Sequence, residues 1–291
     1  MYHRHFGLHE PPFSLTPDTA YFYAHASAQA ALNTLLVALR SGEGFVKIVA
    51  EVGCGKTLLC RRLLAALAAD FETAYIPNPS LDARTMLLAV CEELAIPVDP
   101  RATDHRVVKV LERGLLERAR AGRRVVLIVD EAQAIPDRTV ELLRLMSNIE
   151  TEKRKLLQIV LFGQPELDAR LAQPHLRQLL QRIAFAERIE PMRAEEVSEY
   201  VRYRLRVAGA GEATVFEVAA LAELTRRSGG VPRLINVIAH KSMMLAFGEG
   251  SRTIRSDHVA MASDDTAGLP PASSRGSWLR RLFSVAARER T

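Results

Sequence analysis

VKIVAEVGCGKTLLC, residues 46–60, is the stretch that decides the fold class. A short apolar, β-branched run ends in a glycine-rich turn, and Lys56 and Thr57 open an apolar helical pattern. Such a turn can wrap backbone N–H groups around phosphate oxygens, and the helix adds its own N-terminal N–H groups and dipole. The candidate nucleotide-binding residues are therefore Glu51, Val52, Gly53, Cys54, Gly55, Lys56, Thr57 and Leu58. Gly53 and Gly55 allow the tight turn and close approach that a side chain would obstruct. Lys56 can reach the β- and γ-phosphates, and Thr57 can offer its hydroxyl to Mg²⁺. The full pattern, GxxxxGK[ST], asks for glycine at position 50, where this chain has Ala50. Alanine is acceptable there if its φ is negative, because Cβ then costs little. The competing readings are an ordinary turn before a helix and a nucleotide site without turnover. Cys54 is read as a small neutral filler rather than a reactive thiolate; Cys60 and Cys91 are read as core.

A phosphate cradle needs acidic partners on a second strand. VVLIVDE, residues 125–131, supplies them: Asp130 to hold Mg²⁺, directly or through water, and Glu131 to polarise an attacking water. Aliphatic strands ending in two acids are common by chance. Their occurrence after the glycine turn, within one alternating pattern, is what gives the pair weight. Glu131 as a plain surface carboxylate is the alternative.

Composition sets the bounds. The chain has 291 residues, net charge +5 and 48% hydrophobic residues. That is more than one typical domain and enough to form a sizeable core. The positive balance suits anionic partners such as nucleotides, nucleic acid or lipid headgroups, although a solvated arginine-rich surface gives the same number. Three cysteines without CxxC spacing argue against a zinc site or a disulfide framework and fit a reducing compartment. The N-terminus lacks a long apolar run, and no window reaches the ~20 apolar residues of a membrane span.

The pattern along the chain is alternating. GLHEPPFSLTPD (7–18) reads as a structured arm, and ASAQAALNTLLVALR (26–40) as a helix stopping at Ser41 and Gly42. Strands are expected at GFVKIVA (44–50), FETAYIPNP (71–79, closed by its prolines), 125–130, LLQIVLFG (156–163) and IAFAERIE (183–190). Helices are expected over 56–69, 81–95, 104–121, 137–149 and 165–182, the last interrupted at Pro174. Strands separated by helices of ten or more residues predict an α/β fold with a mostly parallel five-stranded sheet. After Pro191 the expected helices are 193–208, 214–227, 232–247 and 256–262, a small all-helical domain. The expected division is an N-terminal arm and first helix (1–41), a P-loop core (42–190), a helical lid (191–262) and a flexible basic tail (263–291).

These motifs together resemble the secretion-ATPase branch of the AAA+ proteins, the ExeA-type proteins of the general secretion pathway and the related ATPases of MSHA pilus, exosortase and exopolysaccharide loci. The stretches that carry it are FGLHEPPFSLTPD, EVGCGKT, GRRVVLIVDEAQ, LRLMSNIET, KLLQIVLFGQPEL, LRQLLQRI and SGGVPRLIN, spread over about residues 2–262. The resemblance implies an ATPase using ATP/ADP and Mg²⁺; a missing NKxD motif also favours ATP over GTP. It implies Gln164 as the sensor-1 residue, with a turn or capping amide as the plain alternative. It implies Arg182 as an arginine finger acting on a neighbouring subunit, with Arg177 as rival, and hence a homo-oligomer. It implies Arg233 as the sensor-2 arginine reaching toward phosphate from the lid, with Asn236 bracing its helix. The implied partners are components of a secretion or polymer-export apparatus, at a cytoplasmic location with peripheral contact at the inner membrane.

Some positions depart from the family. Ala50 replaces glycine, Ala134 stands where DEAQN has its amide, and AQAAL (28–32) lacks the polar groups of the common HxEAL element. The ExeA-type proteins continue into a transmembrane segment and a peptidoglycan-binding domain, for which this chain is too short. Phe6, Phe13, Pro17 and AYFY (20–23) suit either adenine contacts or plain core. The tail's Trp278, Leu279, Leu282, Phe283 and Val285 beside Arg280 and Arg281 suit either a flexible end or an anionic membrane. A DNA-linked AAA+ module of the transposition target-selection type and a non-hydrolysing adapter are the alternative functions.

Overall fold

The computed structural model describes residues 2–152, 154–211 and 214–266. In chain order the elements are α1 (Tyr2–His5), a 3-10 turn (Thr19–Tyr21), α2 (Ala26–Ser41), β1 (Phe45–Ala50), α3 (Lys56–Leu67), β2 (Phe71–Ile76), α4 (Ala83–Glu93) and α5 (Asp104–Arg120). There follow β3 (Arg124–Val129), a 3-10 turn (Ala132–Ala134), α6 (Asp137–Met146), β4 (Gln158–Gly163), α7 (Pro165–Leu171), a 3-10 turn (Pro174–Leu176), α8 (Arg177–Leu180) and β5 (Ile183–Ile189). The remainder is helical: α9 (Ala194–Val207), α10 (Val218–Ser228), α11 (Pro232–Gly248) and α12 (Ser256–Asp264). The chain divides into two compact units, residues 26–190 and residues 1–25 together with those from 191 onward.

The first unit is built on a five-stranded parallel sheet in the order β2-β3-β4-β1-β5. Strands β1 and β4 are buried along their whole length, and β3 along all but its first residue. This is why they read as nearly continuous apolar runs, broken in β1 by Lys47, instead of alternating ones. Helices cover both faces. Leu111 and Leu115 of α5 and Met86 of α4 pack with Leu127 and Leu161 in one cluster. Leu35 and Leu39 of α2 and Leu59, Leu63 and Leu67 of α3 are also fully buried. Each such leucine contributes roughly 1.5–3 kcal/mol of burial. A buried glutamine, Gln158 at the start of β4, donates to the carbonyls of Leu39 (3.0 Å) and Glu43 (2.9 Å) and so ties the end of α2 to the sheet.

The edge strand β5 is mostly exposed, and α2 holds it from one side. Thr34 donates to Glu187 (3.0 Å), Ser27 donates to the Arg188 carbonyl (3.2 Å), and the Glu190 N–H donates back to Ser27 (2.9 Å). The strand order sets β4 between β1 and β3. The loops leaving the carboxyl ends of these three strands are therefore neighbours, which is where open α/β sheets bind ligands.

The second unit is a helical cluster whose core includes the N-terminal arm. Leu8, Phe13 and Tyr21 are buried with Val201, Phe216, Leu224, Ile235, Ile238, Met243 and Val259. Arg204 anchors the arm: it donates to the carbonyls of Pro12 (2.5 Å) and Ser14 (3.4 Å) and lies 4.6 Å over the Tyr21 ring. Phe13 meets the Phe216 ring edge-on at 6.0 Å and is 1% exposed. It is plain core and has no face left for adenine. Phe6 is half-buried and Pro17 exposed.

The helix expected from 214 begins at Val218, because residues 215–217 are extended. Val215 accepts from the Ile254 N–H (2.8 Å), and the Ile254 carbonyl accepts from Glu217 (3.0 Å). The tail expected from 263 is still ordered at Thr266: α12 runs to Asp264, and Lys241 donates to the Asp265 carbonyl (2.7 Å) and carboxylate (3.0 Å). Trp278, Leu279, Arg280, Arg281, Leu282, Phe283 and Val285 lie outside the described residues. Among the described residues no helix is long and apolar enough to cross a membrane.

Candidate active site

The glycine turn joins β1 to α3. Gly53 (φ +87°) and Gly55 (φ +88°) both sit in the left-handed region. A Cβ on Gly55 would meet nothing within 4 Å, so its requirement is backbone conformation and not space. Ala50 is the last residue of β1 and is not one of the non-glycine residues with positive φ among the described residues. Its φ is negative, and the alanine fits as an ordinary buried strand residue. Lys56 is buried and donates to the carbonyls of Ala50 (2.8 Å) and Glu51 (3.3 Å), closing the turn on itself. Both bonds can be exchanged for phosphate oxygens. Cys54 is buried, and burial pushes its thiol up to about 11 against the pull of Lys56. It is therefore a neutral filler.

Asp130 and Glu131 follow β3. Thr57 donates to Asp130 Oδ2 at 3.4 Å, so the two groups proposed for magnesium meet although 73 residues apart. The Tyr75 hydroxyl reaches the same oxygen at 3.5 Å, and the Glu131 N–H donates to Oδ1 at 2.9 Å. Burial raises the Asp130 carboxyl above its ordinary value. The Glu131 charge adds to that rise, while the Glu131 N–H, Thr57 and Lys56 oppose it. A cation bound there would reverse this balance. An oxygen pair of this kind, one hydroxyl and one carboxylate, is the donor set of a magnesium ion completed by phosphates and water.

Glu131 has φ +49°, a left-handed backbone in a residue other than glycine. Such strain persists only where the surroundings hold it, and it concentrates at functional sites. The carboxylate accepts from the side-chain amides of Gln133 (2.6 Å) and Gln164 (2.8 Å), both on Oε2. Burial alone would raise this carboxyl. The two amides and the Lys56 charge overcome it and hold the group below its usual value. Gln164, just past β4, uses its side chain on Glu131 and makes no side-chain cap to α7. Its own N–H donates to Gln133 Oε1 (3.0 Å). Gln133 carried no role in the sequence reading, although it lies within the DEAQ stretch. Its signal is the polar residue two positions past the second acid.

The remaining residues are placed as follows. Arg182 is half-buried and donates to Ser147 at 3.3 Å, whereas Arg177 is exposed on α8. Ala134 is exposed at the end of its 3-10 turn. Arg233 belongs to the helical unit, exposed on the first turn of α11 and without an ion pair among the described residues. Asn236, one turn on, is buried and accepts from Tyr200 (2.8 Å), which in turn accepts from Arg204 (2.8 Å).

A family model described as an AAA domain matches residues 39–171. The ORC2 protein of Aeropyrum pernix superposes with a TM-score of 0.66 at 18% identity, covering 90% of this chain and 73% of that one. CDC6p of Pyrobaculum aerophilum gives 0.67 at 18%, covering 86% and 69%. The RuvB motor of Thermotoga maritima gives 0.54 at 18%, covering 81% and 67%. At these identities the likeness speaks for fold alone. With the parallel sheet and the glycine turn, it makes the chain a P-loop protein of the AAA+ class. General secretion pathway protein A of Aeromonas hydrophila is 43% identical over 283 residues, 97% of this chain. This chain spans 51%, about half, of that relative's length. Nearly the whole of this chain is thus similar to an ExeA-type secretion protein, and residues 39–171 match an AAA domain.

Proposed function

We propose that the chain hydrolyses ATP to ADP and phosphate with Mg²⁺, and that turnover drives or regulates assembly of a secretion, pilus or exopolysaccharide export system at the inner membrane. The observation that supports it most is the convergence of Thr57 and Asp130 at 3.4 Å beside the buried Lys56 and the left-handed glycines. The backbone N–H groups of residues 51–58 would cradle the phosphates. Lys56 would exchange its bonds to Ala50 and Glu51 for β- and γ-phosphate oxygens. Magnesium, held by Thr57 and Asp130, would neutralise charge on the triphosphate. Glu131 takes a proton from the attacking water, the water oxygen bonds to the γ-phosphorus, and the bond to the bridging oxygen breaks. Gln164 orients Glu131 and the water. Arg182, or its rival Arg177, would stabilise charge in a neighbouring subunit's site, which requires a homo-oligomer. Arg233 would report phosphate to the helical unit.

ATP turnover by the Glu131→Gln variant tests the reading. Loss of a general base costs roughly 10²–10⁴-fold, so turnover should fall at least a hundredfold while ATP binding persists. An unchanged rate would remove Glu131 as the base, and a wild type without turnover would sink the enzyme reading. Running the assay with duplex DNA and with anionic vesicles tests the DNA-linked alternative and membrane contact. ATP binding without turnover in any arm is the result an adapter gives.

A further inference from the structure

We propose that Gln133 is a positioning residue for Glu131, holding Oε2 so that Oε1 is the atom that accepts the proton of the attacking water. This rests on the ATPase reading above. Glu131 Oε2 accepts two amide donors, Gln133 Nε2 at 2.6 Å and Gln164 Nε2 at 2.8 Å. Among the described residues no donor reaches Oε1. One oxygen is saturated and the other is left open, so the carboxylate cannot turn about its last bond without losing both amides.

The orientation of the Gln133 amide is dictated by its partners. A carboxylate oxygen only accepts and a backbone N–H only donates. With Oε1 of Gln133 accepting from the Gln164 N–H at 3.0 Å, its NH₂ must face Glu131. A flipped amide would set donor against donor. The turn that carries Gln133 is pinned as well. The Arg170 guanidinium, from α7, donates to the carbonyls of Gln133 and Ile135 (2.7 Å for the latter) and to Asp137 at 2.5 Å. Gln133 therefore joins the loop after β3 to the loop after β4 through both ends of one side chain. That link is what a strained left-handed Glu131 needs in order to stay in place.

In the reaction the proton passes from water to Glu131 Oε1, and the electron pair of the broken P–O bond leaves with ADP. Among the described residues Gln133 makes no hydrogen bond to the glycine turn or to Thr57, so its loss should spare nucleotide binding.

The test uses the full chain with Gln133→Ala, the isosteric Gln133→Glu and Glu131→Gln, with kcat and KM for ATP measured for each. Misplacing a catalytic group costs on the order of 10–100-fold. Gln133→Ala should lower kcat by about that factor and leave KM for ATP within about twofold. Gln133→Glu removes the same donor and adds a like charge beside Glu131, so its kcat should fall at least as far. It also keeps the side-chain volume, so it carries the test if the alanine variant fails to fold. The inference is overturned if both variants keep the wild-type kcat while Glu131→Gln is inactive. It is also overturned if KM rises with kcat unchanged. Wild-type turnover in Glu131→Gln would remove Glu131 as the base, and this inference with it, whereas no turnover in the wild type would overturn the ATPase reading itself.

Discussion

At the scale of the residue, the buried carboxylate of Asp130 carries a stability cost that a bound cation would offset. Its carboxylate is buried, takes donors from Thr57, Tyr75 and the Glu131 N–H, and has its pKa raised mainly by that burial. For an acid whose folded pKa lies above the unfolded one, the folded state holds its proton to higher pH. Stability then falls as pH rises from the ordinary value of 3.8 through the raised folded value, and the penalty is complete above it. Asn at 130 keeps the acceptor for the Glu131 N–H and removes the charge. Asp130→Asn should therefore melt roughly 2–4 °C higher than wild type at neutral pH without nucleotide. The gain should vanish below the ordinary aspartate pKa, and magnesium-dependent ATP turnover should be lost. A melting curve that is unchanged, or lower at every pH, would show that burial of this charge is not the cost claimed. Asp130, like Thr57 and Lys56, was legible in the sequence, because a strand ending in an acid and a strand ending in a glycine turn are local patterns. Gln133 was not, because its role depends on the Gln164 N–H, 31 residues away in sequence.

At the scale of the element, the two glycines of SGGVPRLIN look alike in sequence and differ in the fold. Both are left-handed, Gly229 at φ +57° and Gly230 at φ +76°. Gly229 ends α10 and faces open space, whereas a Cβ on Gly230 would lie 2.0 Å from the Met192 carbonyl oxygen. That backbone approach is real packing: the Met192 N–H donates to the Gly230 carbonyl at 2.9 Å. Gly229→Ala should cost about 1–2 kcal/mol, the left-handed penalty alone. Gly230→Ala should add an overpacking cost of about 1–3 kcal/mol to it. Chemical denaturation of the two variants decides the matter, and equal midpoints would refute the contact with Met192. Element boundaries follow the same logic. The ends fixed by local chemistry matched: α2 ends at Ser41 before Gly42, and the helical stretch 165–182 breaks before Pro174. The start of α10 did not, because residues 215–217 pair with Ile254, a tertiary bond that overrides helix propensity.

At the scale of the whole molecule, the proposed arginine finger makes a prediction about mixtures. If Arg182 acts on a neighbouring subunit, Glu131→Gln and Arg182→Ala proteins are each inactive alone. Mixed, they form some interfaces in which an intact Glu131 faces an intact Arg182. Turnover should reappear on mixing, up to about a quarter of wild type if two intact groups meet at random in a single interface, and the wild-type rate per subunit should rise with protein concentration. Arg177→Ala serves as the rival arm. No recovery in either mixture, with a rate independent of concentration, would remove the shared site.

The sequence by itself determined the class of fold and brought out the glycine turn and the acidic pair that the fold sets side by side. Strand runs, the glycine turn and the acidic pair are written in contiguous residues whose spacing fixes their local geometry. Only the tertiary structure decided that the arm's Phe13 is core, that Arg204 ties the arm to α9, that Gly230 admits no side chain, and that Gln133 and Gln164 share one oxygen of Glu131. Each of these depends on atoms far apart along the chain and close in space. The hydrogen bonds and packing that join them are settled only when the strands have taken their order in the sheet and the helices their places in the core.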